Sequence, residues 1–277
     1  MQFLDTTAFS TAPICMTCGT QYPPRAAAPL ECPICLDERQ YVGWSGQRWT
    51  SSAELASTHE IRFEVCAGVM TMFLEPSYAI GQRAFLIPQQ DRLVMWECLS
   101  MVTEAALAQI AAMGGVKAIA ISHPHFYAAM NEWSAALGGV PIYLHEADRR
   151  WVQYQTPAVH FWSGERLALS DELDLVHLPG HFAGSTGMWW HEGPRPGGSL
   201  FPGDAIQVAM DRRFTTFMYS YPNAIPLGPA ALARLEACTR SLTFEDVFGF
   251  SSGRQIIGDA KARVDASFVR YRTALAA

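Results

Sequence analysis

The stretch Val116-Lys117-Ala118-Ile119-Ala120-Ile121-Ser122-His123-Pro124-His125-Phe126-Tyr127 begins as an apolar run and ends in two histidines around a proline. The run reads as a buried strand, which puts the histidines just past its end, where loops carry function. Residues two apart on extended backbone point to one side. His123 and His125 are therefore expected to face the same way, about 6.6–7 Å apart along the chain, with Pro124 holding the extension. Roughly sixty residues on, His181 sits in Leu178-Pro179-Gly180-His181-Phe182-Ala183-Gly184, again past a strand end. Asp204 follows a third short strand in Leu200-Phe201-Pro202-Gly203-Asp204. Three neutral imidazoles with a carboxylate nearby make a zinc site that leaves a position open for water.

Upstream, short apolar runs at Ile61 to Val65, Met70 to Leu74, Arg83 to Ile87 and Leu93 to Trp96 are punctuated by Gly68, Pro76, Gly81 and Pro88, and predict a meander. Thr103 is placed to cap a helix over Ala105 to Met113, which Gly114-Gly115 would end. Helices are expected over Tyr127 to Leu137 and from Glu146 toward Tyr154, with a strand over Pro141 to His145 between them. The second half repeats the order. Strands are expected at Arg166 to Leu169, Leu173 to Leu178, Thr186 to His191, Ser199 to Phe201, Ala205 to Met210 and Asp246 to Phe250. Helices are expected from Pro229 to about Arg240 and from about Gly258 to Leu275. Two such halves predict an α+β chain of two mixed sheets packed face to face with helices outside.

Of 277 residues, 49% are hydrophobic and 17% charged, enough to bury a large core. Twenty Lys and Arg against 26 Asp and Glu leave a net charge of −6, so no cationic field gathers phosphates and no nucleic acid partner is expected. Met1 to Ser10 lacks a basic segment followed by an apolar one. The uncharged runs Thr6 to Pro24 and Phe214 to Ala233 are broken by prolines and polar residues. These features predict a cytoplasmic protein with no membrane partner.

Seven cysteines include Cys15-x-x-Cys18 and Cys32-x-x-Cys35, with thirteen residues between the pairs. Two residues between thiolates form a knuckle around one metal, and two knuckles close a tetrahedral zinc site. Residues 1–50 are expected to form this ribbon and 51–277 the main domain. Two disulfides are the alternative, and they would need an oxidising compartment. The knuckles are also similar to a shortened rubredoxin, which would carry iron. Cys66, Cys98 and Cys238 read as small core residues.

Taken together, the segments around His123, His181 and Asp204 resemble the metallo-β-lactamase-fold hydrolases over roughly residues 60 to 275. In that superfamily a strand ends in His-x-His-x-Asp-His, a Gly-His loop follows a later strand and a Gly-Asp pair follows another. Phe85-Leu86-Ile87 and Leu93-Val94-Met95-Trp96-Glu97 resemble its paired upstream strands, with Glu97 where an Asp is usual. The resemblance implies an αββα sandwich with a metal site at one edge of the sheets. It also exposes departures. Tyr127 and Ala128 stand where the motif has Asp and its third His, and Phe250-Ser251-Ser252-Gly253-Arg254 lacks the last family histidine. The first metal site keeps His123, His125 and His181, the second only a bridging Asp204, so at most one metal is expected there.

The function expected is hydrolysis of a small ester, thioester, lactone or amide at a mononuclear three-His site, the bound ion bringing the pKa of water toward neutrality. Asp204 would orient or deprotonate that water, while Tyr127 or Arg254 would assist the oxyanion or leaving group. Against these roles stand plainer ones: Tyr127 packed in the core, Arg254 capping the following segment, and His59, His145, His160, His177 and His191 held by hydrogen bonds. The alternating Phe217, Tyr219 and Tyr221 could wall a pocket or form one buried face. The rival function is a decayed hydrolase scaffold that binds a partner through its ribbon. Electron transfer through an iron-loaded ribbon ranks last. Self-association, giving a homo-oligomer, is open.

Overall fold

The computed structural model describes residues 7–25, 27–90 and 92–276; most of the segment read for an export signal lies outside them. The chain divides into two units, one made of residues 1–144 with Arg149–Phe161, the other of His145–Asp148 with residues 162–277.

In the first unit the four expected meander runs form β1 (Glu60–Cys66), β2 (Val69–Glu75), β3 (Arg83–Gln89) and β4 (Arg92–Trp96), antiparallel neighbours in that order. β3 and β4 are buried along most of their length, whereas the edge strand β1 exposes Glu60 and Glu64, as an edge kept from further pairing does. Parallel pairing then adds β5 (Val116–Ala120) beside β4, and β6 (Ile142–His145) beside β5. Parallel neighbours need a crossover, supplied by α1 (Glu104–Ala112) and α2 (Met130–Ala136). Thr103 caps α1, its side chain accepting from the Ala106 N–H at 3.2 Å, and Gly114 and Gly115 leave the helix at φ 101° and 75°. A strand absent from the sequence expectation, β7 (Val159–Trp162), completes a seven-stranded sheet.

The second unit carries β8 (Arg166–Ala168), β9 (Leu173–His177), β10 (Thr186–Trp190), β11 (Ser199–Phe201), β12 (Asp246–Phe248) and β13 (Gln255–Ile257), neighbours in that order. Only β11 and β12 are parallel, and α3 (Pro229–Thr239) lies between them in sequence, opened by Pro229 as an N1 residue. Its core gathers Leu178, Leu200, Val208, Leu235, Val247 and Phe268, the last on α4 (Ala260–Ala276). The chain is thus α+β with mixed sheets.

Local readings differ elsewhere as well. The helix expected from Tyr127 begins only at Met130, because Ala128 takes a positive φ of 40° that breaks helical propagation. Glu146 to Tyr154 is a 3-10 segment, Glu146–Trp151, rather than an α-helix. Ala205 to Met210 is not one strand: only Gln207–Val208 pairs, with Thr215–Thr216 across a turn in which Arg212 has φ 57°.

Candidate metal and catalytic site

Among the described residues, Cys15, Cys18, Cys32 and Cys35 form a buried group that could hold a metal ion, and the other buried candidate ligands are His123 and His125 in the first unit and His181 and Asp204 in the second.

The cysteine group belongs to the first unit. Ile14–Cys15 pairs with Trp49–Thr50, and the Gly19 N–H donates to the Cys15 carbonyl at 2.8 Å to close the first knuckle. In the second knuckle Pro33 opens a single helical turn, and the Cys32 carbonyl accepts from the Cys35 and Leu36 N–H groups. Cys15 and Cys35 Sγ are 3.5 Å apart and Cys18 and Cys32 Sγ 3.7 Å, too far for disulfides, and all four thiols are free. Two sulfurs on one tetrahedral zinc, each about 2.3 Å from it, are about 3.75 Å apart, so the group fits an ion. Four sulfurs this close cannot all carry charge without a cation among them. Hydrogen bonds from its neighbours pull the Cys15 thiol down, while the same crowd pushes Cys35 up.

His123 and His125 follow β5, at the carboxyl end of a strand with parallel partners on both sides, where α/β sheets place ligands. The expected extension across the pair does not hold. His123 is extended at φ −169° and ψ 172°, but Pro124 opens a 3-10 turn, Pro124–Phe126, because its fixed φ suits the first position of a helical turn. The turn brings the two rings together instead, with centroids 5.1 Å apart at 72°. Ser122 Oγ lies 2.7 Å from His123 Nδ1, and the Ser122 N–H donates to Glu97 Oε2 at 3.1 Å. Glu97, at the end of β4, is buried and takes a positive φ of 63°. Tyr127 is buried in the same loop, its carbonyl facing the Cys98 thiol at 3.5 Å.

His181 and Asp204 belong to the second unit. His181 Nδ1 lies 3.2 Å from the Met218 carbonyl, which can only accept, so that nitrogen donates in this hydrogen bond. Nε2 stands 3.8 Å from Asp204 Oδ2, near the roughly 3.3 Å that separates two ligands about 2 Å from a shared ion. Tyr221 donates to the Asp204 carbonyl at 3.0 Å, and its ring lies 5.7 Å from that of His181. Burial, and then the Asp204 charge, push its phenol well above the usual range. Tyr219 packs against the core and Phe217 lies within it, while Tyr221 reaches Asp204 and His181. The loop holding His181 is anchored by Asp148, whose Oδ1 accepts from the Gly184 N–H at 2.8 Å; nothing in the sequence had singled out Asp148.

No protein-family model matches the chain. Over 265 residues it is 39% identical to Uncharacterized protein YmaE of Bacillus subtilis (strain 168), covering 95% of this chain and 96% of that one. The chain belongs to the YmaE family.

The fold of this YmaE-family chain is that of the metallo-β-lactamases. It superposes on VMB-1 with a TM-score of 0.57 at 14% identity, over 79% of this chain and 99% of that one. For the metallo-β-lactamase FIM-1 from Pseudomonas aeruginosa, in a mono-zinc form, the TM-score is 0.53 at 14% identity, over 77% and 96%. At such identities the likeness is one of fold. The resemblance drawn from the sequence therefore holds at the level of architecture, joined to a four-cysteine cluster in the YmaE-family chain.

Arg254 and His145 both have local partners. Arg254 lies between β12 and β13, its Nη1 donating to the Val208 carbonyl at 2.7 Å and its own carbonyl accepting from Gly249, which makes it a brace of that turn. His145 stacks on His177 with centroids 4.0 Å apart and has both ring nitrogens engaged, with Gly164 and Ala147. No described helix is long and apolar enough to cross a membrane.

Proposed function

We propose that the chain is a metal-dependent hydrolase of a small ester, thioester, lactone or amide, with His123, His125 and His181 holding one divalent ion and Asp204 beside it. What supports it most is His181: a buried imidazole whose Nδ1 proton is taken by a backbone carbonyl and whose Nε2 faces a carboxylate is built as a ligand. Ser122 gives His123 the same preparation by engaging its Nδ1. An ion held there would polarise the substrate carbonyl and make water acidic enough to attack near neutral pH. Asp204 orients the nucleophilic water and takes its proton. Tyr127 supplies a proton donor for the leaving group, and the oxyanion falls to it or to Arg254. On this reading residues 1–50 form a structural zinc ribbon and 51–277 the hydrolase, acting on a small molecule in the cytoplasm.

The test is hydrolysis of a panel of such substrates by metal-loaded protein beside His123→Ala and His181→Ala. Activity in the wild type and loss of at least a hundredfold in both variants is expected; equal rates in all three reject the proposal.

A second reading has its own observation. Leu30, Leu36, Tyr41 and Trp44 are exposed on the ribbon segment, where a non-catalytic scaffold would bind a protein partner or a second copy of the chain. Elemental analysis separates the readings. One metal per chain, lost with Cys32→Ser, favours the scaffold; two favour the enzyme.

A further inference from the structure

The first knuckle is held by three side chains, each buried and each donating to a different backbone carbonyl. Tyr78 Oη donates to the Cys15 carbonyl at 3.1 Å, Gln82 Nε2 to that of Cys18 at 2.6 Å, and Ser100 Oγ to that of Gly19 at 2.8 Å. Space there is exhausted: a Cβ on Gly19 would lie 2.3 Å from Ser100 Oγ and 2.9 Å from Gln82 Nε2. These contacts lead directly to the histidine loop. The amide nitrogen of Gln82 also reaches the His125 carbonyl, at 3.3 Å. Three residues past Cys18, the Gln21 N–H donates to the carbonyl of Ala128, the positive-φ residue that ends the loop, at 2.9 Å. The Gln21 side chain donates to Glu132 on α2 at 2.6 Å.

We propose that the cysteine knuckle sets the backbone of the His123/His125 loop, with Gln82 as the positioning residue that couples metal occupancy at the cysteines to metal affinity at the histidines. The inference rests on the metal reading given above. A carboxamide nitrogen has two protons, and Gln82 has one for each carbonyl, one on either side of the junction. The knuckle carbonyls keep their places only while the thiolates are gathered on an ion, because folding of such small segments is coupled to ligation. When the knuckle opens, Gln82 loses its shorter bond and Ala128 its donor. His125 is then held by local geometry alone, and displacements near 1 Å are costly to a preorganised site.

The test uses full-length protein stripped of metal and titrated with Co²⁺. An intense thiolate-to-metal band reports the cysteines, and weaker visible bands report the histidines. With its cysteine site saturated, as the thiolate band shows, Gln82→Ala reports on the histidines alone. It should bind Co²⁺ at the histidines 10–100-fold more weakly and speed amide exchange at Ala129 and Met130. Gln82→Glu, which cannot donate, should match it. Wild-type histidine-site affinity and exchange in a folded Gln82→Ala overturn the proposal, since a merely structural role would lower stability alone. If Gln82→Ala does not fold, Ser100→Ala must move both readouts in the same direction or the proposal fails. If His123→Ala takes up Co²⁺ as the wild type does, the metal reading is the one that fails. The coupling is then judged by exchange across residues 122–130 with the cysteines loaded and stripped: faster exchange on stripping keeps the clamp, and unchanged exchange removes it.

Discussion

Ser122 is the side chain through which the histidine loop is tied back to the sheet. Its hydroxyl engages His123 Nδ1 and its N–H is held by Glu97. Groups that orient a ligand histidine are typically worth 10–100-fold in metal affinity or activity. Ser122→Ala is therefore expected to weaken Co²⁺ binding at the histidines by 10–100-fold while leaving the circular dichroism spectrum unchanged, as measured against a competing chelator. An affinity equal to the wild type would show that the hydroxyl orients nothing. The histidines and Asp204 were legible because a pattern of residue types at strand ends carries them. Met218 was not legible as a partner, since it acts through a backbone carbonyl, and neither was Asp148, thirty-six residues before the glycine it holds.

The loop between β9 and β10 carries His181 on a scaffold of short contacts. Phe182 donates its N–H to Ser185 Oγ at 2.8 Å, Thr186 Oγ1 donates to the Gly184 carbonyl, and Asp148 accepts from Gly184. A Cβ on Gly184 would meet Asp148 Cγ at 2.7 Å and its backbone nitrogen at 3.0 Å, contacts no rotamer change relieves at the backbone atom. Gly184→Ala should cost about 1–3 kcal/mol through overpacking, read as a lower urea midpoint with an unchanged slope; an unshifted midpoint would mean that the loop yields freely. Long apolar strands and capped helices, such as β3, β4 and α1, were read nearly to the residue, because period and capping chemistry are local. The His-Pro-His turn was misread as extended: proline suits both extended backbone and the first position of a helical turn, and only packing chooses between them.

Stability of the whole chain should carry a pH signature from His145, which stacks on His177. Burial first, and then the neighbouring imidazole, lower the pKa of His145, opposed by the Gly164 carbonyl and by Glu146. The fold thus favours the neutral ring. Its contribution is complete above the unfolded value of about 6.5 and is lost as pH falls from there toward the folded pKa. Thermal midpoints should accordingly fall from pH 7.5 to 5, more steeply for wild type than for His145→Gln; parallel profiles would assign the acid loss to other groups.

Residue types and their spacing were enough to determine the α+β class, the two cysteine knuckles and the identity of the candidate ligands, because each depends on contacts among near neighbours in the chain. Tertiary structure alone decided that the Pro124 turn draws the two imidazoles together, that Met218 and Ser122 engage the rings of His181 and His123, and that Gln82 bonds both a knuckle carbonyl and that of His125. Those relations form between segments tens of residues apart, where the balance of burial and hydrogen bonding is settled only when the sheets assemble.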